Sequence, residues 1–291
     1  MARIRFISHS LLQVGNTLGE CPLWHPLENA LYWLDIDAGL LQRYQPSQKK
    51  LEVFDLGKRA GSFGFRKEGG LVLATESGFA FWSEQDGTSE DFDRIYPHTG
   101  QLMMNDGRVD SLGRFWAGSK GPAGSASLFC LESDRTFTRV LDRLTISNGI
   151  DWSPDGKYCY LTDSGEQAIY RFDFREGQLR EKEVFFSTMG THQPGTPDGL
   201  CVDAAGNIWS AIWDGSKVIQ LSREAEILQE IHLPVSRPTS LTFGGSDLRD
   251  LYISSASVEL TPDQLSNQSQ AGDIFCCRVD IPGRPPNFFA G

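Results

Sequence analysis

Glu20, Asn148 and Asp198 stand at one phase of a repeating pattern, and each offers an oxygen that can ligate a cation. Asn105 adds a fourth polar side chain at the same phase. Ser62 and Thr239 complete a series of six anchors, separated by 42, 43, 43, 50 and 41 residues. A ring of such oxygens around one point is what a hard divalent cation requires. Such a site could assist the attack of water on a carbonyl. For it to exist, residues far apart in the chain must converge.

The elements that would bring them together are legible. Each anchor is followed by a strand-like run, a tight turn and a second strand. Arg108-Val-Asp-Ser-Leu-Gly-Arg-Phe-Trp116 and Ile150-Asp-Trp-Ser-Pro-Asp-Gly-Lys-Tyr-Cys-Tyr-Leu161 are two examples. A period in the low forties with several short strands per unit predicts an all-β fold, a six-bladed β-propeller with one axial divalent-metal site. Equivalent positions of every repeat then face one axis. Pro154-Asp155-Gly156, Ala205-Gly206-Asn207 and Leu112-Gly113-Arg114 mark the hairpin turns, with glycine where positive φ is wanted. Third strands are read at 127–131, 168–173 and 217–221, and a loop with one helical turn at 261–272. The repeat fills nearly the whole chain, so residues 1–291 are read as a single propeller domain. Of the segments 3–7 and 11–14, one is expected to complete the last blade and close the ring.

The totals narrow the function. The chain has 291 residues, with 27 basic and 38 acidic side chains and a net charge of −11. That balance argues against nucleic acid, whose binding rests on phosphate neutralisation. Six cysteines are scattered without Cys-x-x-Cys spacing, which disfavours a thiolate zinc site. No apolar run approaches the roughly 18 residues of a membrane helix. The opening residues lack the apolar stretch of a secretion signal. The expectation is a cytoplasmic protein with reduced thiols, no membrane or nucleic-acid partner, a small-molecule substrate, and a monomeric or weakly oligomeric state.

Four segments carry a family resemblance. Leu18-Gly-Glu-Cys-Pro-Leu-Trp24, Asn105-Asp-Gly-Arg-Val-Asp110 with Gly113-Arg-Phe-Trp-Ala-Gly118, Ser147-Asn-Gly-Ile-Asp-Trp-Ser153 and Pro197-Asp-Gly-Leu-Cys-Val-Asp203 together resemble the regucalcin/gluconolactonase family, which includes luciferin-regenerating-enzyme-like proteins. The resemblance covers about the whole chain. It implies a six-bladed propeller, one divalent cation (calcium, zinc, manganese or magnesium) and, in many members, hydrolysis of sugar-acid lactones. It implies that Glu20, Asn148 and Asp198 ligate the metal, that Asp198 is also the acid/base, and that Asn105 contacts substrate.

Two departures concern the substrate wall. Members similar to regucalcin carry Arg where this chain has Met103. They also carry Glu in the loop where this chain has Ala117-Gly-Ser-Lys-Gly-Pro-Ala-Gly124. Met103 and Lys120 are therefore candidate substrate contacts, Lys120 as a replacement cation. The leading reading is a metal-dependent lactonase. A phosphotriesterase or esterase on the same metal, and a non-catalytic propeller that binds calcium or a partner, are the alternatives.

Local readings without function stand beside these. Asn-Gly and Asp-Gly are common turn dipeptides, which alone would explain Asn105-Asp106-Gly107, Asn148-Gly149 and Asp198-Gly199 as turns. Asp106 reads as a turn hydrogen-bonder. Asp151, Asp155, Asp163 and Asp203 read as turn caps. His98 and His192 are candidates for the pocket mouth, and Trp213 for a substrate contact.

Overall fold

The computed structural model describes every residue except 1, 88–89, 97–99 and 192–193. Six antiparallel sheets are the blades of a β-propeller. Their innermost strands are Gly19–His25, Ala60–Phe65, Met103–Val109, Ser147–Trp152, Thr196–Val202 and Pro238–Gly244. Each touches the innermost strand of the next blade, and that of blade six touches that of blade one. Blades one to five have four hairpin-connected strands running outward, and blade six has three.

Alternation of apolar residues fills the space between blades. Trp116 and Trp209 are buried at equivalent places in second strands, the place that Tyr32 takes in blade one. The indole N–H of Trp116 donates to Asp110, and that of Trp209 to Asp203. The same carboxylates accept turn amides, Asp110 from Leu112 and Arg114, and Asp203 from Ala205 and Asn207. One aspartate per hairpin thus fixes the turn and satisfies a buried donor. Gly113, Gly156 and Gly206 take the positive φ those turns need.

The chain ends sit in different blades. Arg3–Phe6 pairs in parallel with Ile227–His232 on blade five, while Leu12 bridges Ile274 beside the last strand of blade six. The segment after that strand crosses the base of the propeller. The Pro282 carbonyl accepts from Ala204 of blade five, and Gly283 donates to Leu248 of blade six. Arg284 donates to the Trp152 carbonyl of blade four and Asn287 to Val109 of blade three. Phe289 exchanges backbone bonds with Phe65 and Lys67 of blade two, and Phe288 lies edge-on to His25 of blade one.

The helix is Pro262–Asn267, with Thr261 and Gln264 forming a capping box. Among the described residues no helix is long and apolar enough to cross a membrane, and all six cysteines are free thiols.

Candidate active site

Every innermost strand carries a register shift where its anchor lies. The shifts fall between Glu20 and Leu23, Ala60 and Ser62, Met104 and Gly107, Ser147 and Ile150, Pro197 and Leu200, and Pro238 and Leu241. A bulge re-aims a side chain that a regular pleat would send between the blades. Here it turns Glu20, Asn105, Asn148 and Asp198 to the axis. In blade one the backbone of Cys21 is left-handed (φ 48°) directly beside Glu20, a conformation that costs a non-glycine residue about 1–3 kcal/mol.

The motif glycines are therefore not turn glycines. Asn148-Gly149 and Asp198-Gly199 lie inside strands, as do Asp106 and Gly107. What Gly149 supplies is closeness, since a Cβ there would lie 2.2 Å from the Leu200 nitrogen of blade five. One at Gly199 would lie 2.3 Å from Ser240 Oγ of blade six. The turn reading of these dipeptides is corrected: adjacent blades press together where the anchors emerge. Asp106 is likewise a buried bulge residue, accepting from the Gly107 amide at 2.7 Å.

One cavity of about 540 Å³ at the top of the axis is lined by Glu20, Met103, Asn105, Lys120, Asn148 and Asp198. The candidate metal ligands and the three candidate substrate contacts Met103, Asn105 and Lys120 thus meet. Ser62 and Thr239 do not line it. They stitch the ring, Ser62 Oγ donating to the Asn105 carbonyl at 2.7 Å and Thr239 Oγ1 to the Gly19 carbonyl. Trp213 is on the wall, with the Arg237 guanidinium 4.7 Å above its ring. His98 and His192 lie outside the described residues. Ser164 and Arg59 also line the cavity and were not read from the sequence. Both lie beyond the anchor segments, and nothing in the phase marks them. Arg59 is held by Glu76 at 3.0 Å, with Asp37 at 4.0 Å.

The electrostatics are those of a site short of positive charge. Burial pushes the Glu20 carboxyl well above the usual range, and the charges of Asp198 and Asp106 add to it. Asp198 is raised in the same way, by burial first and then by Asp106. Burial also raises Asp106, to about 6, against the pull of Arg108. Lys120 offsets part of this at both Glu20 and Asp198.

Asn105 donates to the Ser147 carbonyl at 3.0 Å. Asn148 donates to Asp198 Oδ1 and, at 3.1 Å, to Ser164 Oγ. Its own Oδ1 is buried with no hydrogen-bond partner. Among the described residues no three His, Cys, Asp or Glu side chains converge as a metal site. Two carboxylates and this orphaned amide oxygen fit a cation that takes oxygen donors, with coordination positions left for other ligands.

The family model for the SMP-30/gluconolactonase/LRE-like region matches residues 18–257, a span that holds all six anchors. The chain belongs to the SMP-30/gluconolactonase/LRE-like family. Within this family it is 34% identical over 279 residues to the 6-deoxy-6-sulfogluconolactonase of Pseudomonas putida, covering 95% of this chain and 96% of that one. It is 32% identical over 286 residues to the regucalcin of Xenopus laevis, covering 94% and 95%. The crystal structure of regucalcin from Agrobacterium tumefaciens, described as a calcium-binding protein, superposes with a TM-score of 0.93 at 23% identity and covers 99% of both chains. That likeness establishes the family's propeller for this sequence.

Proposed function

We propose that this protein is a cation-dependent lactonase that opens an aldonolactone or a related lactone by attack of water. The observation that carries the reading is one cavity that gathers two buried carboxylates of raised pKa around an unpartnered amide oxygen. Glu20, Asn148 and Asp198 hold the ion. An all-oxygen donor set suits calcium, magnesium or manganese better than zinc. When bound, a divalent cation supplies the positive charge that polarises the lactone carbonyl.

The remaining steps fall to side chains. Asp198 would take the proton of the attacking water and return it to the ring oxygen as the ester bond breaks. Asn105 and Trp213 bound the space where the lactone ring sits. Lys120, half-buried on the cavity wall, offers an ammonium to an anion or to several hydroxyls of the substrate. The 34% relative is named for a sulfo-substituted gluconolactone, which supports a lactone bearing an anionic or strongly polar tail.

The test is a panel of neutral and anionic aldonolactones assayed after chelation and after adding back calcium, magnesium, manganese or zinc. Hydrolysis should vanish with chelator and return with an oxygen-preferring ion. Full turnover in the chelated protein, or none on any lactone with every ion, overturns the reading.

A further inference from the structure

We infer that Ser164 is a positioning residue that fixes which end of the Asn148 amide faces the cavity. This rests on the cation reading of the site. Ser164 opens the short 3₁₀ turn Ser164–Glu166 after the second strand of blade four. Asp163 anchors that turn, accepting from the amides of Thr145, Ile146 and Gly165. Ser164 N also donates to the Ile146 carbonyl at 3.0 Å. The hydroxyl is thus held in place by backbone on both sides.

A serine hydroxyl has one proton and two lone pairs. Ser164 Oγ donates that proton to the Pro197 carbonyl of blade five at 2.8 Å, and a carbonyl can only accept. Toward Asn148 the oxygen has only lone pairs left. Asn148 must therefore offer its NH₂, which it does at 3.1 Å. Its second N–H goes to Asp198 Oδ1, an acceptor when ionised. Both neighbours demand the nitrogen, so Oδ1 is left facing the site, buried and without a partner.

The reverse orientation would set Oδ1 against a carboxylate and a hydroxyl oxygen and forfeit both bonds. A bare NH₂ would then face the ion, and nitrogen of an amide is no ligand. Ser164 and Asp198 thus act as a lock on the amide. Ser164 also ties blade four to the residue immediately before Asp198, so the lock sets the spacing between two of the three ligands.

The test is calorimetric titration of calcium, and separately manganese, into the chelator-stripped full chain. Ser164→Ala should bind each ion about tenfold or more weakly, the usual effect of losing a group that orients a metal ligand. Ser164→Thr keeps the hydroxyl and should bind within about twofold of wild type. Ser164→Val matches threonine in shape and lacks the hydroxyl; it should weaken as the alanine variant does, which decides the matter if alanine unfolds. Equal affinity in wild type, Ser164→Thr and Ser164→Val overturns the lock. If wild type itself takes up no ion, the cation reading of the site fails, and the lock with it.

Discussion

Met103 and Lys120 are directly opposed across the antiparallel pairing of the first two strands of blade three, and both line the cavity. Opposed residues of a ladder share one face of the sheet. Where the family resemblance implies a guanidinium, position 103 is apolar here, and an ammonium stands on the strand beside it.

This exchange should show in selectivity. Lys120→Ala is expected to lower kcat/KM on anionic lactones about tenfold more than on neutral ones, the scale of one charge-assisted hydrogen bond. Met103→Arg should shift preference toward polyhydroxylated hexonolactones. The readout is the ratio of kcat/KM values across the panel. Unchanged ratios in both variants would mean that neither side chain meets the substrate.

Asp198→Asn separates catalysis from folding. Turnover should fall by about 10²–10⁴, since the amide can ligate but cannot carry a proton. The cation-free variant should at the same time be more stable than wild type. The folded-state pKa of Asp198 is raised by burial and by Asp106. Its stabilising contribution is full below the ordinary carboxyl value of about 4 and is lost as pH rises through the raised one. The Tm gap between variant and chelated wild type should therefore widen from pH 4.5 to pH 8, and saturating cation should narrow it. A gap that is constant in pH contradicts the buried-charge account.

Gly149→Ala tests the contact between innermost strands. Its Cβ would meet the Leu200 backbone at 2.2 Å, and backbone cannot swing aside. A loss of about 1–3 kcal/mol in urea unfolding is expected, the range for overpacking. Asn148 should lose its aim as well, lowering cation affinity. Wild-type stability and affinity together would show that the two blades have slack at this point.

The phase of the anchors was visible in the sequence because each repeat spends its most distinctive residues on its innermost strand. What phase could not reveal was the bulge. Asn148-Gly149 and Asp198-Gly199 have the composition of turns, and only a neighbouring blade explains glycine at a strand interior. The outermost strands were invisible for a different reason. Gln178–Ser187 is mostly exposed, and its charged residues follow no apolar alternation. Ser164 could not be found either. It comes from a turn between second and third strands, and its role exists only through Pro197 on another blade. The helical turn within 261–272, by contrast, is local chemistry and could be read directly, although its capping box, Thr261 with Gln264, emerges only in the structure.

The segment 282–289, laid under all six blades, bears on how the molecule comes apart. A ring of repeats in which each unit meets only two neighbours has roughly additive energetics and can open piecemeal. A shared strap removes that independence. Releasing blade three breaks the bond from Asn287, and releasing blade four breaks the one from Arg284. Either loss loosens the hold on the others, so partly opened states forfeit contacts beyond their own edges. Unfolding should be a single cooperative transition, with exchange of the strap's backbone amides as slow as that of the innermost strands.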